Sequence, residues 1–232
     1  SPGTSAPRTI SQEGLVDMRT RFDRQLEQLN VELIRMGALC EEAISIVAKS
    51  LLDSDLTYLP HALDLDDQID DKEREIEALC MKILLQQQPV ARDLREISSA
   101  LKMISDLERI GDQAADIAEL TRFVRLPEGP GRQRIEEMSK AVIRMVTDSV
   151  DSFVKRDLEL AREVCREDDQ VDDLFNQVKK ELIGLIAADA DSGELWLDLI
   201  MVAKYLERIG DHATNVAEWV EYSITGNHPS NN

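Results

Sequence analysis

The chain is poor in the residues that punctuate β structure. Aromatics make up 4% of its 232 residues, and its ten glycines and seven prolines gather mainly near the ends and the middle. Leu, Ile, Val, Ala and Met supply the apolar surface, a composition suited to helix bundles rather than to sandwiches of short strands. Cysteine is scarce too. Cys40, Cys80 and Cys165 are odd in number and far apart, and none sits in a CxxC pair. This excludes a disulfide framework and a zinc knuckle, and it suits inert core thiols in a reducing cytoplasm. No stretch approaches the ~20 apolar residues of a membrane span. The first 14 residues lack the apolar core of a signal peptide. Residues 1–17 are therefore expected to be a flexible leader, with Met18 a candidate native start.

Basic charge is also in deficit. Lys and Arg number 27 against 46 Asp and Glu, a formal net charge of −19. Such a surface repels phosphate backbones and anionic headgroups, so nucleic acid is not an expected partner and any membrane contact would be indirect. Cations, or partners with basic patches, are the expected counterparts. Catalytic signatures are missing: there is no Gly-rich phosphate loop, no GxSxG and no Cys/His set spaced for nucleophilic attack. His61, His212 and His228 complete no Glu-x-x-His pair, so the ferritin-like di-iron pattern is absent as well.

What the chain does have is an internal repeat. Residues 106–120 read DLERIGDQAADIAEL and residues 205–219 read YLERIGDHATNVAEW, an offset of 99. Upstream, DDQIDD at 66–71 pairs with DDQVDD at 168–173, an offset of 102. Two blocks in one order and at nearly one separation indicate a duplication. Between the copies lies RLPEGPGR, 125–132, whose two Pro and two Gly stop any helix. The expected fold is all-α, with two tandem, pseudo-symmetric three-helix bundles at 18–124 and 133–226, a linker at 125–132 and a tail at 227–232. Helices are expected at about 19–51, 56–87, 91–124, 133–154, 158–189 and 193–224. Pro60 implies a start near Tyr58 or a kink in the second of these.

The third helix of each half combines an apolar seam with an acidic stripe. Leu195, Leu199, Val202, Leu206, Ile209, Ala213, Val216 and Val220 alternate spacings of four and three, as do Ala100, Met103, Leu107, Ile110, Ala114 and Ile117. At about 100° per residue, Glu108, Asp112, Asp116 and Glu119 fall within an arc of about 80°. Their counterparts are Glu207, Asp211, Asn215 and Glu218. The preceding helices add Asp66, Asp70 and Glu73, and Asp168 and Asp172.

The stripe lies nearly opposite the seam, where an ordinary solvated face would also lie. Against that plain reading, like charges at i,i+4 cost a helix about 0.2–0.5 kcal/mol per pair, and here they recur in both halves. Aligned carboxylates from adjacent helices supply hard oxygen ligands for Mg²⁺, Mn²⁺, Ca²⁺ or oxygen-ligated iron. Gly111 and Gly210 occupy equivalent places inside the helices, at a cost of about 1 kcal/mol each relative to Ala. They either allow close helix packing or leave room beside the neighbouring Asp. His212, following Asp211, is either an auxiliary ligand or a polar surface residue.

Two copies of a hydrophobic-ERIGD-x-A-x-[DN]-[IV]-A-E block in an acidic helical chain resemble the PhoU family. Gln88-Pro89 leading to Asp93-Leu94-Arg95, and the paired DDQ[IV]DD blocks, support the likeness, which spans about residues 18–225. The resemblance implies a cytoplasmic, non-enzymatic, often homodimeric negative regulator of the phosphate-starvation response. It would link the ATPase subunit of the Pst phosphate transporter to a PhoR-type sensor histidine kinase. It also implies divalent or iron-type metal ions (Fe, Mn, Mg, Zn or Ca) held through E/D-x-x-x-D motifs. Glu108-x-x-x-Asp112, Glu207-x-x-x-Asp211, Asp66-x-x-x-Asp70 and Asp168-x-x-x-Asp172 match that motif. With Asp116, Glu119 and Glu218 these make up the candidate ligands. Asn215 replaces the carboxylate found at Asp116, which points to a stronger site in the first bundle. A metal-dependent hydrolase and a metal-free acidic scaffold are the alternative readings.

Overall fold

A computed structural model describes residues 11–231. They form six α-helices, α1 (Gln12–Asp53), α2 (Leu59–Gln87), α3 (Ala91–Thr121), α4 (Pro130–Lys155), α5 (Leu158–Ala188) and α6 (Gly193–Thr225), with two short 3-10 turns and no strand. The first three helices make one bundle and the last three another, as the repeat implied. The local signals are ordinary ones. Ser11 caps α1 by accepting from the Gly14 amide at 3.2 Å, and Asp157 caps α5 by accepting from Leu160 at 3.0 Å. Pro60 and Pro130 sit in the first turns of α2 and α4, where a missing N–H costs nothing. Gly226 ends α6 at φ 80°, its N–H bonded to the Tyr222 carbonyl at 2.8 Å.

Several expected boundaries move. Residues 12–17, taken from the sequence as part of a flexible leader, are the first turns of α1; residues 1–10 lie outside the described set. α1 runs on because Phe22 is buried and Leu15 and Met18 flank a groove closed by Pro89 and Val90. α4 begins inside the expected linker, at Pro130. The tail folds back: His228 lies 4.4 Å from the Trp219 ring, and Ser230 donates to Glu218 at 3.4 Å.

The seams behave as core. Every named seam residue of α3 is buried, and so is every one of α6 except Leu195, which is partly buried. The buried side chains of both bundles form one continuous cluster rather than two. The most extensive helix pairing in the molecule is α3 with α6, and α1 also packs on α4. Polar pins reinforce this joint. Asp106 accepts from Asn215 at 3.1 Å and pairs with His212 at 3.0 Å, while Arg156 donates to Glu96 at 2.9 Å. Within the first bundle, buried Glu32 of α1 receives Lys72 of α2 and its own neighbour Arg35, both at 2.7 Å. The Lys72 ammonium is the main reason that the Glu32 carboxyl titrates below its ordinary range.

Glycine settles how closely α2 approaches α3. A Cβ on Gly111 would meet Ile69 Cδ1 at 2.9 Å and Cγ2 at 3.1 Å, in a fully buried setting. Gly184 of α5 has open space where its Cβ would go. The same substitution should therefore act with opposite signs. Gly111→Ala is expected to lower stability by about 1–3 kcal/mol through overpacking. Gly184→Ala should raise it by about 0.5–1 kcal/mol through helix propensity. Urea unfolding of the two variants checks this, and equal effects in one direction would remove the packing role assigned to Gly111.

Candidate metal centres

The DDQIDD block puts Asp66, Asp70 and, one turn on, Glu73 along the α2 face that meets α3. The ERIGD block puts Glu108 and Asp112 along the α3 face that meets α2. Oxygens of Asp66, Asp70 and Asp112 lie within 4.8 Å of one another, and so do those of Asp70, Glu73 and Glu108. The two triads share Asp70. In the second bundle Asp168 and Asp172 of α5 meet Asp211 of α6 within the same limit. Glu207 adjoins Asp211 and is paired with Lys204, whose Nζ is 2.6 Å from its Oε2.

The expectation of an open face opposite the seam needs correction. Glu108, Asp112, Asp66 and Asp70 are half-buried, because α3 is wrapped by α1, α2 and α6 and the stripe borders the α2–α3 groove. Asp66 Oδ1, Asp70 Oδ1, Asp168 Oδ1 and Glu207 Oε2 have almost no contact with solvent and receive no hydrogen bond, although the last is in ion-pair contact with Lys204. Buried carboxylate oxygens without donors are costly unless a cation or proton satisfies them. The glycines sit beside these atoms. A Cβ on Gly111 would lie 3.4 Å from Asp66 Oδ1, and one on Gly210 would lie 3.1 Å from Asp168 Oδ1. Close packing and room for a carboxylate are thus one arrangement rather than two alternatives.

Other candidates are placed elsewhere. Asp116 stands outside the triads, near Glu119 and Arg208, and Glu119 is exposed. Glu218 engages the tail through Ser230. Asn215 and His212 both bind Asp106 across the bundle joint rather than facing a cluster. The replacement of Asp116 by Asn215 is therefore not where the two centres differ. Glu73 is the residue that the sequence reading placed on the α2 stripe but left out of the ligand set. Its spacing of i+3 from Asp70 was the available signal.

Electrostatics follow from crowding. Burial, and then the neighbouring carboxylates, lift Asp66 to about 6, Asp168 to about 7, Asp211 to about 6 and Glu108 to about 8. Glu73 and Asp172 are raised for the same reasons. Arg109 offers only a long contact, 3.5 Å, to Asp112. By contrast no thiol is poised for chemistry. Burial raises all three cysteines, Cys165 to about 11 and Cys80 to about 12, and Cys40 donates to the Leu107 carbonyl at 3.3 Å.

Fold and site together define a class: internally duplicated six-helix proteins with a carboxylate cluster in the groove between the second and third helices of each bundle. Within that class the chain belongs to the PhoU family. The family model described as "PhoU domain" matches it twice, at residues 33–121 and 135–220. A "Phosphate-specific transport system accessory protein PhoU homolog" of Clostridium acetobutylicum is 39% identical, over 90% of this chain and 96% of that protein. A Pseudomonas aeruginosa protein of the same description is 36% identical, over 89% of this chain and 86% of its own length. Among solved structures, PhoU from Pseudomonas aeruginosa superposes with a TM-score of 0.83 at 34% identity, covering 89% of this chain and all of that one. The phosphate transport system regulatory protein PhoU from Streptococcus pneumoniae gives 0.82 at 27% identity, covering 89% and 98%.

The raised carboxyls carry a pH signature. Between the ordinary carboxyl range near 4 and the raised folded values, the folded state holds more protons than the unfolded chain. The clusters' contribution to stability is thus greatest at low pH and declines as pH rises through about 6 to 8. Chelator-treated Glu108→Gln should therefore lose less stability than the parent between pH 5 and pH 8. Parallel melting-temperature profiles for the two proteins would contradict the assigned burial of Glu108.

Proposed function

We propose that this protein is a non-enzymatic negative regulator of phosphate uptake and of the phosphate-starvation response, bearing metal on its acidic helix faces. The observation that carries the reading is similarity along nearly the whole chain to proteins described as phosphate-specific transport system accessory proteins. In this reading it couples the ATPase subunit of a Pst-type transporter to a PhoR-type sensor kinase. It works in the cytoplasm as a homodimer and reaches the membrane only through those partners. No helix among the described residues is long and apolar enough to cross a membrane.

The donor set suits a hard cation. Asp66, Asp70, Glu73, Glu108 and Asp112 would hold it in the first groove, with Asp168, Asp172, Asp211 and Glu207 the corresponding residues of the second. Fe, Mn, Mg, Zn and Ca are the candidate ions, and an all-carboxylate oxygen set suits the harder of them best. A bound cation supplies positive charge to oxygens that have no other partner. The residues themselves do the rest: α2 and α3 orient two carboxylate rows, and Gly111 lets the rows approach.

Two experiments test the proposal. Protein purified without chelator and reconstituted with Fe²⁺ or Mn²⁺ is expected to retain stoichiometric metal, and Asp70→Asn/Asp112→Asn to lose most of it. Elemental analysis showing far less than stoichiometric metal would leave an acidic scaffold. Pull-down in high phosphate should recover the transporter ATPase subunit and the kinase, and gene deletion should derepress phosphate-starvation genes. Failure to bind either partner would sink the coupling role. Turnover of a generic phosphoester that disappears in Asp112→Asn would instead establish the hydrolase.

A further inference from the structure

The two grooves are not equivalent, and the difference lies in two substitutions at matched positions. With the offset of 102 that aligns the DDQ[IV]DD blocks, Glu73 corresponds to Phe175. With the offset of 99 that aligns the ERIGD blocks, Ser105 corresponds to Lys204. The two replacements meet in space: Lys204 Nζ lies 5.1 Å from the centroid of the Phe175 ring. From there the ammonium reaches Glu207, 2.6 Å away, a carboxylate that is only 13% exposed. Lys204 also acts favourably on the charges of Asp172 and Asp211. Among the described residues the first groove has no close ion pair of this kind: Glu73 completes its second triad, Arg109 makes only a long contact with Asp112, and Arg74 acts on Glu73 without an ion pair to it.

The second groove has therefore lost one carboxylate and gained one fixed positive charge. Metal that recruited Glu207 would have to break the Lys204 pair and then sit beside an ammonium. We infer that Lys204 is the resident counter-ion of the α5–α6 cluster, so that divalent metal binds tightly in the first bundle and only weakly in the second. This rests on the metal-bearing reading above. It goes further in assigning the asymmetry to Lys204 and Phe175 rather than to Asn215.

The test titrates the chelator-treated full chain with Mn²⁺ and follows free Mn²⁺ by electron paramagnetic resonance. The parent should show a tight class of sites that Asp70→Asn/Asp112→Asn abolishes. A second class, at least about tenfold weaker, should respond to Asp172→Asn/Asp211→Asn. Phe175→Glu/Lys204→Ser should tighten that second class by about tenfold or more. Without metal, Lys204→Ser should melt below the parent and recover on adding Mn²⁺, a rescue that a merely structural lysine would not show. Should the double variant fail to fold by circular dichroism, Lys204→Gln alone gives the same readout. Two equally tight classes in the parent, or unchanged Mn²⁺ binding in the folded variants, overturn the inference while leaving metal binding intact. Absence of Mn²⁺ binding in both bundles overturns both.

Discussion

Everything in this protein turns on the crowding of α3 and α6. Each is the third helix of its bundle, and each packs on two helices of its own half and on the other across the joint. A helix enclosed on three sides has little arc left for solvent, yet both carry rows of like charge along that arc. The outcome is a half-buried groove in which carboxylate oxygens are too close to one another and too far from water. Burial first, and then repulsion between the carboxylates, disfavours the charged state wherever no cation intervenes, which is why the groove's acids titrate high. The glycines at 111 and 210 permit the approach, since a side chain there would hold the second and third helices apart.

The duplicated architecture makes one groove an internal control for the other. Helix order, glycine and the paired Asp positions are shared, so differences in filling are informative. In the first bundle five carboxylates converge with little local compensation. In the second a lysine and an aromatic ring occupy the places of Ser105 and Glu73. One half answers part of its own charge internally, and the other has no such ion pair among the described residues. The joint is asymmetric in the same spirit: His212 and Asn215 of α6 both address Asp106 of α3, whose counterpart is Tyr205.

Much of this was legible in the residues. The apolar spacing along α3 and α6, the repeated ERIGD and DDQ[IV]DD blocks, and the Pro and Gly between the copies specify two helical bundles. Helix periodicity and helix-breaking chemistry are local properties, and local properties are written in the chain. The i,i+4 carboxylate pairs on α2 and α3 are local in the same sense, so their alignment could be read before any contact was known. Only tertiary packing decided which rows face each other and how deep they lie. Asp116, Glu119 and Glu218 share the stripe but not the cluster, because distance across a groove depends on crossing geometry and not on spacing along one helix. Lys204 could not be recognised as a counter-ion from its position alone. Its partner Glu207 and the nearby Asp211 are on its own helix, but the ring that steadies it and Asp172, whose charge it also answers, come from α5. Charge compensation is a through-space effect, and the fold is what brings those charges together.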